Sequence, residues 1–600
     1  MRRAEFFAKG VLMTNGKLFA LSLSLSLAFG ALGAFSVAQA APVTTEGTGT
    51  GKHGDLVAAV TFDNGKIQAI DIKKSNENKI LAEKVFTDMK NAMIEHNTAD
   101  VDLISGATMS SKALQDAVKA AAEKAGVTLA GPVVLMKRAA KVPESSVYDV
   151  VVIGAGGAGF SAAITAKDAG ANVVVLEKMP TVGGNSLISG AEMAAANNWV
   201  QRKLGILDDS VERHFEDTMK GGDYKGDPAV VRTMVENALP AALWCRDVIG
   251  VEFQEDNLFF FGGHSRKRSL IPKGATGMEF IQKFMAAAKK RDIPIITGMK
   301  AEELVKSPEG RIVGVKATMD GKTYTFNAKN GVIIASGGFA ANVEMRAKAN
   351  PFYGAGFKTT NAPGATGDGI VMGEKAGAQV VNMDLIQTYP MCDPITGAIE
   401  LIDDARFEGA ILVNQEGKRF VEELERRDVM SKAILEQTGQ YCYALFNDAI
   451  EKKSHAITHH QDEVEVFTKA GILHKADTIE EAAEFFKIPV ENLKATVARV
   501  NEFAKTGKDL DFNYRARFVD LSTGPYWIYR GVPSCHHTMG GLKINPKAQV
   551  LDKNDKPIPG LWAAGEVTGS THGTNRLGSN AYADIIVFGR IAGAEAAAAK

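Results

Sequence analysis

Two stretches of this chain have residue types and spacings suited to holding phosphate. In the longer one, residues 148–153 (YDVVVI) form a short apolar run, and Gly154, Gly156 and Gly159 follow as Gly-x-Gly-x-x-Gly. Residues 160–169 have helical character, residues 172–176 (NVVVL) form a second apolar run, and Glu177 closes the unit. Fully apolar runs of this length read as buried parallel strands. The glycines permit a tight turn, close approach of the backbone to a pyrophosphate and packing of helix on strand. An acid roughly 20 residues further on accepts hydrogen bonds from ribose hydroxyls. The whole predicts a dinucleotide site with Gly154, Gly156, Ala158, Gly159 and Glu177 around the ligand.

The shorter stretch is Asp102-Leu103-Ile104-Ser105-Gly106-Ala107-Thr108, ahead of a helical segment over 110–125. Gly106 allows close backbone approach, and a helix starting near Ser110 aims free N–H groups and its positive end at an anion. By itself this could be a capped helix after a Ser-Gly turn. The Asp-x-x-Ser-Gly-Ala-Thr pattern resembles the FMN-binding domain of respiratory flavoproteins, in which a flavin transferase joins FMN to the last Thr through a phosphoester. The resemblance implies covalent FMN on Thr108. The preceding segments 56–61 and 66–72 alternate apolar and polar residues around Asp63-Asn64-Gly65, which predicts a hairpin; a helix is expected over 80–96.

These units sit in a chain of 600 residues with 45% hydrophobic and 23% charged residues, ordinary values for a globular protein. Lys plus Arg (69) balances Asp plus Glu (70) for a net charge of -1, which argues against nucleic-acid binding. Cys245, Cys392, Cys442 and Cys535 form no CxxC, so no metal site is indicated; they read as structural thiols, with a disulfide as the alternative. Arg2, Arg3, Lys9 and Lys17 lead into an apolar run over 18–37 that ends in Ala38-Gln39-Ala40. This is the pattern of a cleaved export signal, starting at Met1 or Met13, and it predicts a periplasmic protein. The expected organisation is a signal over 1–40, an FMN-binding domain over 48–130, a Pro-containing linker over 131–147, an FAD-binding domain over 148–383 and 537–600, and a capping domain over 384–536. The fold class is α/β: a Rossmann-like FAD domain with an inserted α+β cap, preceded by a small α+β domain.

FAD, rather than another dinucleotide, follows from a second resemblance. Residues 177–186 (EKMPTVGGNS), 333–338 (IIASGG), 365–369 (ATGDG) and 564–581 (AGEVTGSTHGTNRLGSNA) are similar to the signatures of the succinate dehydrogenase/fumarate reductase flavoprotein family. The resemblance covers nearly all of 148–600 and implies that Asn185, Ser186, Asp368, His537, Glu566, Asn580 and Ala581 also contact FAD. Members with covalent FAD carry a His where this chain has residues 185–188 (NSLI), so FAD is expected to be non-covalent.

The family reduces the double bond of an enoate by hydride transfer from flavin N5, and an arginine then protonates the α-carbon. The stretch 403–428 (DDARFEGAILVNQEGKRFVEELERRD) matches the family pattern. It implies Arg427 as the proton donor and Arg406 with Asp403 as its relay. His536 in HHTMGG and Arg576 in NRLG are implied to grip the substrate carboxylate. Where fumarate reductases hold the second carboxylate with a His and a Thr, this chain has Tyr389 and Ile402, and it adds Asp404 and Phe407. An anion there repels a second carboxylate and favours an N–H-bearing ring, and Tyr389 and Phe407 offer aromatic faces. Urocanate is the expected substrate, a pattern that resembles the urocanate-reducing branch of the family. Fumarate, an acrylate- or cinnamate-type enoate, amino-acid oxidation, and a non-catalytic exported electron carrier are the alternatives. A membrane quinol-oxidising donor is the expected source of electrons.

Overall fold

The computed structural model describes residues 41–51, 54–77, 82–83, 85–101, 103, 107–131 and 142–599. The expected signal at 1–40, most of the linker, and Asp102 with residues 104–106 lie outside the described residues.

Three buried clusters organise the rest. The first belongs to the small N-terminal module, where Leu56, Val60, Ile70, Leu114 and Val118 are buried together. Its hairpin is as expected: Gly54–Asp63 pairs with Lys66–Lys74, and Asn64 and Gly65 take positive φ angles of 49° and 73°. A third strand, Val43–Gly51, pairs antiparallel to Gly54–Asp63 and was not expected, because VTTEGTGTG has no apolar alternation. Its glycines serve packing instead. A Cβ on Gly47 would lie 1.9 Å from the Ala117 carbonyl oxygen, so only glycine lets the helix Thr108–Ala125 lie against this strand. The helix expected over 80–96 is a wide π turn, Val85–Met89, running into Lys90–His96.

The second cluster is the FAD domain. Its sheet runs Gln549–Leu551, Pro557–Ala563, Lys322–Ile334, Ser145–Ile153, Val173–Glu177 and Ile295–Thr297, with Ile312–Met319 added to Lys322–Ile334 and Lys300–Lys306 added to Ile312–Met319. The four strands from Pro557–Ala563 through Val173–Glu177 are mutually parallel, and Val150, Val151, Val152, Val174 and Val175 are buried, as expected of strands covered on both faces. The helices Gly157–Asp168 and Asn580–Ala598 cross closely because Gly589 and Gly593 face Ala158 and Ala162, where a Cβ would meet their carbonyl oxygens at 2.6 and 2.3 Å.

The third cluster is the cap, an antiparallel sheet of Ile386–Cys392, Tyr526–Thr538, Cys442–Asn447 and Ile411–Val413, with Leu473–Ala476 added to Tyr526–Thr538. Tyr526–Thr538 is thirteen residues long. Its far end carries His536 and His537 out of the cap and back toward the FAD domain. All four cysteines are buried and unpaired, so the thiols are packing residues and the disulfide alternative falls.

Candidate functional site

The dinucleotide turn is shaped as its sequence requires. Gly154 ends the first strand at φ 103°, and a Cβ there would lie 2.4 Å from the Ala335 carbonyl oxygen. A Cβ on Gly159 would lie 1.9 Å from the Gly154 carbonyl oxygen, so this glycine packs helix on strand. Gly156 caps the helix Gly157–Asp168 without a side-chain bond, which leaves helix N–H groups for a phosphate. Glu177 ends the second strand, where its carboxylate accepts the N–H groups of Ala155 (2.9 Å) and Met179 (2.8 Å).

Gly154, Gly156, Ala158, Glu177 and Asp368 line one cavity, and the reducing-site residues line a second; Asn185, Ser186, Glu566 and Ile585 border both. An extended ligand with its nucleotide in the first and its ring at the mouth of the second fits this arrangement, as FAD requires. At the waist, Asn185 donates to Asn361 Oδ1 at 2.5 Å and accepts the Ala362 N–H at 2.8 Å. Glu566 accepts the Thr538 N–H at 2.9 Å, and burial raises its pKa. Asp368 opens the helix Asp368–Lys375 and pairs with Lys178 at 2.8 Å.

Asn580 is a correction. Its side chain is fully buried, with Oδ1 2.9 Å from His214 Nε2 and Nδ2 donating to Thr218 at 3.0 Å. It anchors the last helix rather than facing the flavin site, where Ala581 stands in the lining instead. Its partner His214 sits beside His264, which bonds the Gly578 carbonyl at 2.8 Å, so buried polar groups that no motif announced hold the loop into this helix.

The second cavity gathers Tyr389, Asp404, Phe407, Arg427, His536, His537 and Arg576. Arg427 opens the helix Arg427–Leu435, where the helix dipole disfavours a cation. Burial is the main cause that lowers its pKa. Its guanidinium lies 4.8 Å from the Tyr389 ring centre and 5.4 Å from that of Phe261, and its buried Nη1 has no hydrogen-bond partner. Arg576 Nη2 donates to His536 Nε2 at 2.8 Å, while its Nε has no partner. Burial, with Arg427 next, lowers the Arg576 pKa to about 9. His536 Nδ1 lies 2.9 Å from the Thr360 hydroxyl. Burial pushes the pKa of His536 and of His537 well below the usual histidine range, with the nearby guanidiniums adding to it, so both rings are neutral. Two buried cations with unsatisfied N–H groups make a site for a carboxylate.

Behind Arg427 lies a satisfied pair. The turn Leu401–Glu408 carries Asp403, Asp404, Arg406 and Phe407. Asp403 accepts from Arg406 Nη2 at 2.6 Å and from the Tyr529 hydroxyl at 3.0 Å. The Tyr389 hydroxyl donates to Asp403 at 3.3 Å, so Tyr389 presents its ring to the cavity and supports the pair. Phe407 is stacked on Phe259 at 5.1 Å and edge-on to Phe261 at 4.8 Å, and the Arg406 guanidinium lies 4.6 Å from its ring centre.

Sequence reasoning missed Glu192, Phe261 and Thr360, all in the lining. Glu192 stands alone in the small-residue run 189–196 (SGAEMAAA), and a lone acid among apolar residues was the available signal. Burial raises the Glu192 pKa to about 7, followed by repulsion from Asp404, while Arg427 and Arg576 oppose the rise. Asp404 Oδ2 is 3.7 Å from His460 Nε2. Two carboxylates and two guanidiniums thus line one cavity.

A family described as FAD binding domain matches residues 149–581, and one described as FMN-binding domain matches residues 51–123. The chain is similar to the urocanate reductase of Eggerthella lenta, 45% identical over 558 residues and 92% of each chain. It is 40% identical to the fumarate reductase (cytochrome) of Shewanella frigidimarina over 461 residues, 76% of this chain and 78% of that protein. The NADH:acrylate oxidoreductase of Vibrio harveyi is 35% identical over 611 residues, 91% of this chain and 60% of that protein. Among solved structures, the open conformation of a flavocytochrome c3 fumarate reductase matches with a TM-score of 0.61 at 37% identity, over 75% of this chain and 78% of that one.

Proposed function

The chain belongs to the FAD-binding family that includes the fumarate reductase flavoproteins and is a flavin-dependent oxidoreductase acting on carbon–carbon double bonds; from that premise we propose that it reduces urocanate to dihydrourocanate. The observation that carries the proposal is the meeting of two guanidiniums and two carboxylates in the second cavity. The unpartnered N–H groups of Arg427 and Arg576 take the propenoate carboxylate. Asp404 accepts from the N–H of the imidazole ring, Glu192 faces its other nitrogen, and Phe407 borders it. A substrate with carboxylates at both ends meets repulsion at Asp404.

FAD, when bound, supplies the hydride to the β-carbon. Polarisation of the carboxylate by Arg576 draws charge away from that carbon. Arg427 gives its proton to the α-carbon; burial and its place at a helix N-terminus weaken its hold on that proton. Asp403 and Arg406 lie behind it to restore the proton. The match of residues 51–123 to an FMN-binding domain and an uncapped helix start at Thr108 support attachment of FMN to Thr108 by a flavin transferase. The N-terminal segment supports export to the periplasm, where a membrane quinol-oxidising donor would feed electrons to FMN and then FAD in anaerobic respiration.

The test is anaerobic oxidation of reduced methyl viologen by flavinylated protein, with urocanate and fumarate compared. Turnover with urocanate and none with fumarate is the expected result. Turnover with fumarate alone would overturn the reading of Asp404 and Glu192, and turnover with neither would overturn the substrate assignment.

A further inference from the structure

A third cleft, of about 580 Å³ and open to solvent, lies where the three folded regions meet. It falls within the roughly 300–1,000 Å³ of an ordinary small-molecule pocket. Asn76 of the N-terminal module, Met179 and Thr276 of the FAD domain, and Ile399, Leu401 and His459 of the cap all line it. It shares Met179 with the nucleotide cavity and Ile399 and Leu401 with the substrate cavity. Only one layer of residues therefore separates it from both.

The N-terminal module is held at this cleft by one cap helix, Gln461–Lys469. Lys469 pairs with Asp55 at 2.9 Å, and Glu465 lies 3.7 Å from Lys74. At its other end, Glu463 accepts the N–H groups of Leu401 (2.8 Å) and Ile402 (3.2 Å), so the same helix braces the turn that carries Asp403 and Asp404. On the module side, Glu77, next to Asn76, accepts a hydrogen bond from Ser110. Ser110 is in the first turn of the helix that Thr108 opens. The chain lining the cleft and the helix end at Thr108 are thus tied together. Asn76 and Thr276 supply polar contacts, and Met179, Ile399 and Leu401 supply apolar faces, which is the combination a flavin ring needs.

We propose that this junction cleft is the seat of the ring of FMN carried on Thr108. The inference rests on the reading of Thr108 as the attachment residue. A ring in this seat would be within one layer of residues of the FAD cleft, where it could supply electrons to FAD.

The test is hydrogen–deuterium exchange on full-length, FAD-loaded protein made with and without a flavin transferase, with FMN on the Thr108 peptide scored by mass. Segments 274–282, 359–363 and 396–401 should exchange several-fold more slowly when FMN is attached. Ala398→Trp, which fills the cleft, should abolish that protection with FMN still attached. No FMN on Thr108 would overturn the attachment reading, and the seat with it. FMN attached without protection of these segments would overturn the seat alone. Protection by added urocanate and not by FMN would make the cleft a substrate passage and would likewise overturn it.

Discussion

The two ends of the substrate cavity are built by different means. Its cationic end comes from contiguous motifs: His536 and His537 at the end of one long strand, Arg576 just ahead of the last helix, and Arg427 at the first position of another. Its acidic end comes from separate segments. Glu192 precedes the two-residue strand Met193–Ala194, Asp404 sits on a helical turn, and Phe261 lies far from both in sequence. The cationic end serves any enoate, because every such substrate offers a carboxylate and needs a proton. The acidic end concerns what else the substrate carries. Common chemistry is written in motifs, and discrimination is assembled from single residues.

The largest expected effect tests the shared end. Arg427→Ala should lower turnover by about 10²–10⁴-fold while the FAD spectrum stays intact; an active variant would remove Arg427 from the mechanism. Next, Asp404→Ala should lower kcat/KM for urocanate by roughly 10–150-fold, the loss of one hydrogen bond to a charged group, without lowering activity on fumarate. Equal losses on both substrates would dissolve the division between the ends.

Glu192→Gln sharpens the same division through stability. The folded protein holds the Glu192 proton up to about pH 7, against an ordinary value of 4.5. The unfolded chain binds that proton less tightly, so the carboxyl costs nothing below pH 4.5 and its full penalty above pH 7. The substitution should therefore stabilise the substrate-free protein by up to about 3 kcal/mol at pH 8 and leave it unchanged at pH 4, as read by denaturant melts. A gain that does not depend on pH would refute the role of charge. The smallest effect belongs to Tyr389→Phe, which removes a hydroxyl donating to Asp403. It should cost about 0.5–1.5 kcal/mol in turnover, with KM for urocanate little changed; a change confined to KM would return the hydroxyl to the substrate.

The hairpin at Asn64-Gly65 and the dinucleotide turn were legible because each is specified by neighbours in sequence. The strand Val43–Gly51 was not, since its glycines answer to a helix some seventy residues away. Asn580 misled for the same reason: it lies in a flavin-site motif, but His214 and Thr218 reach it first. Tyr389 was placed in the correct cavity, but which of its atoms faces the ligand depends on where Asp403 lies.

Sequence alone determined the glycine turn and acid of a dinucleotide site, while resemblance to a flavoprotein family implied Thr108 and the arginines and histidines of a reducing site. Local spacing is enough for the turn, because it is a short segment whose backbone geometry its own residues dictate. Tertiary structure alone decided which groups are charged and which meet. Burial keeps His536 neutral, raises Glu192 to about 7 and leaves Arg427 and Arg576 with N–H groups to satisfy. Those properties arise from removal of water by segments far apart in the chain, and so they exist only once the three regions have closed around the same cavities.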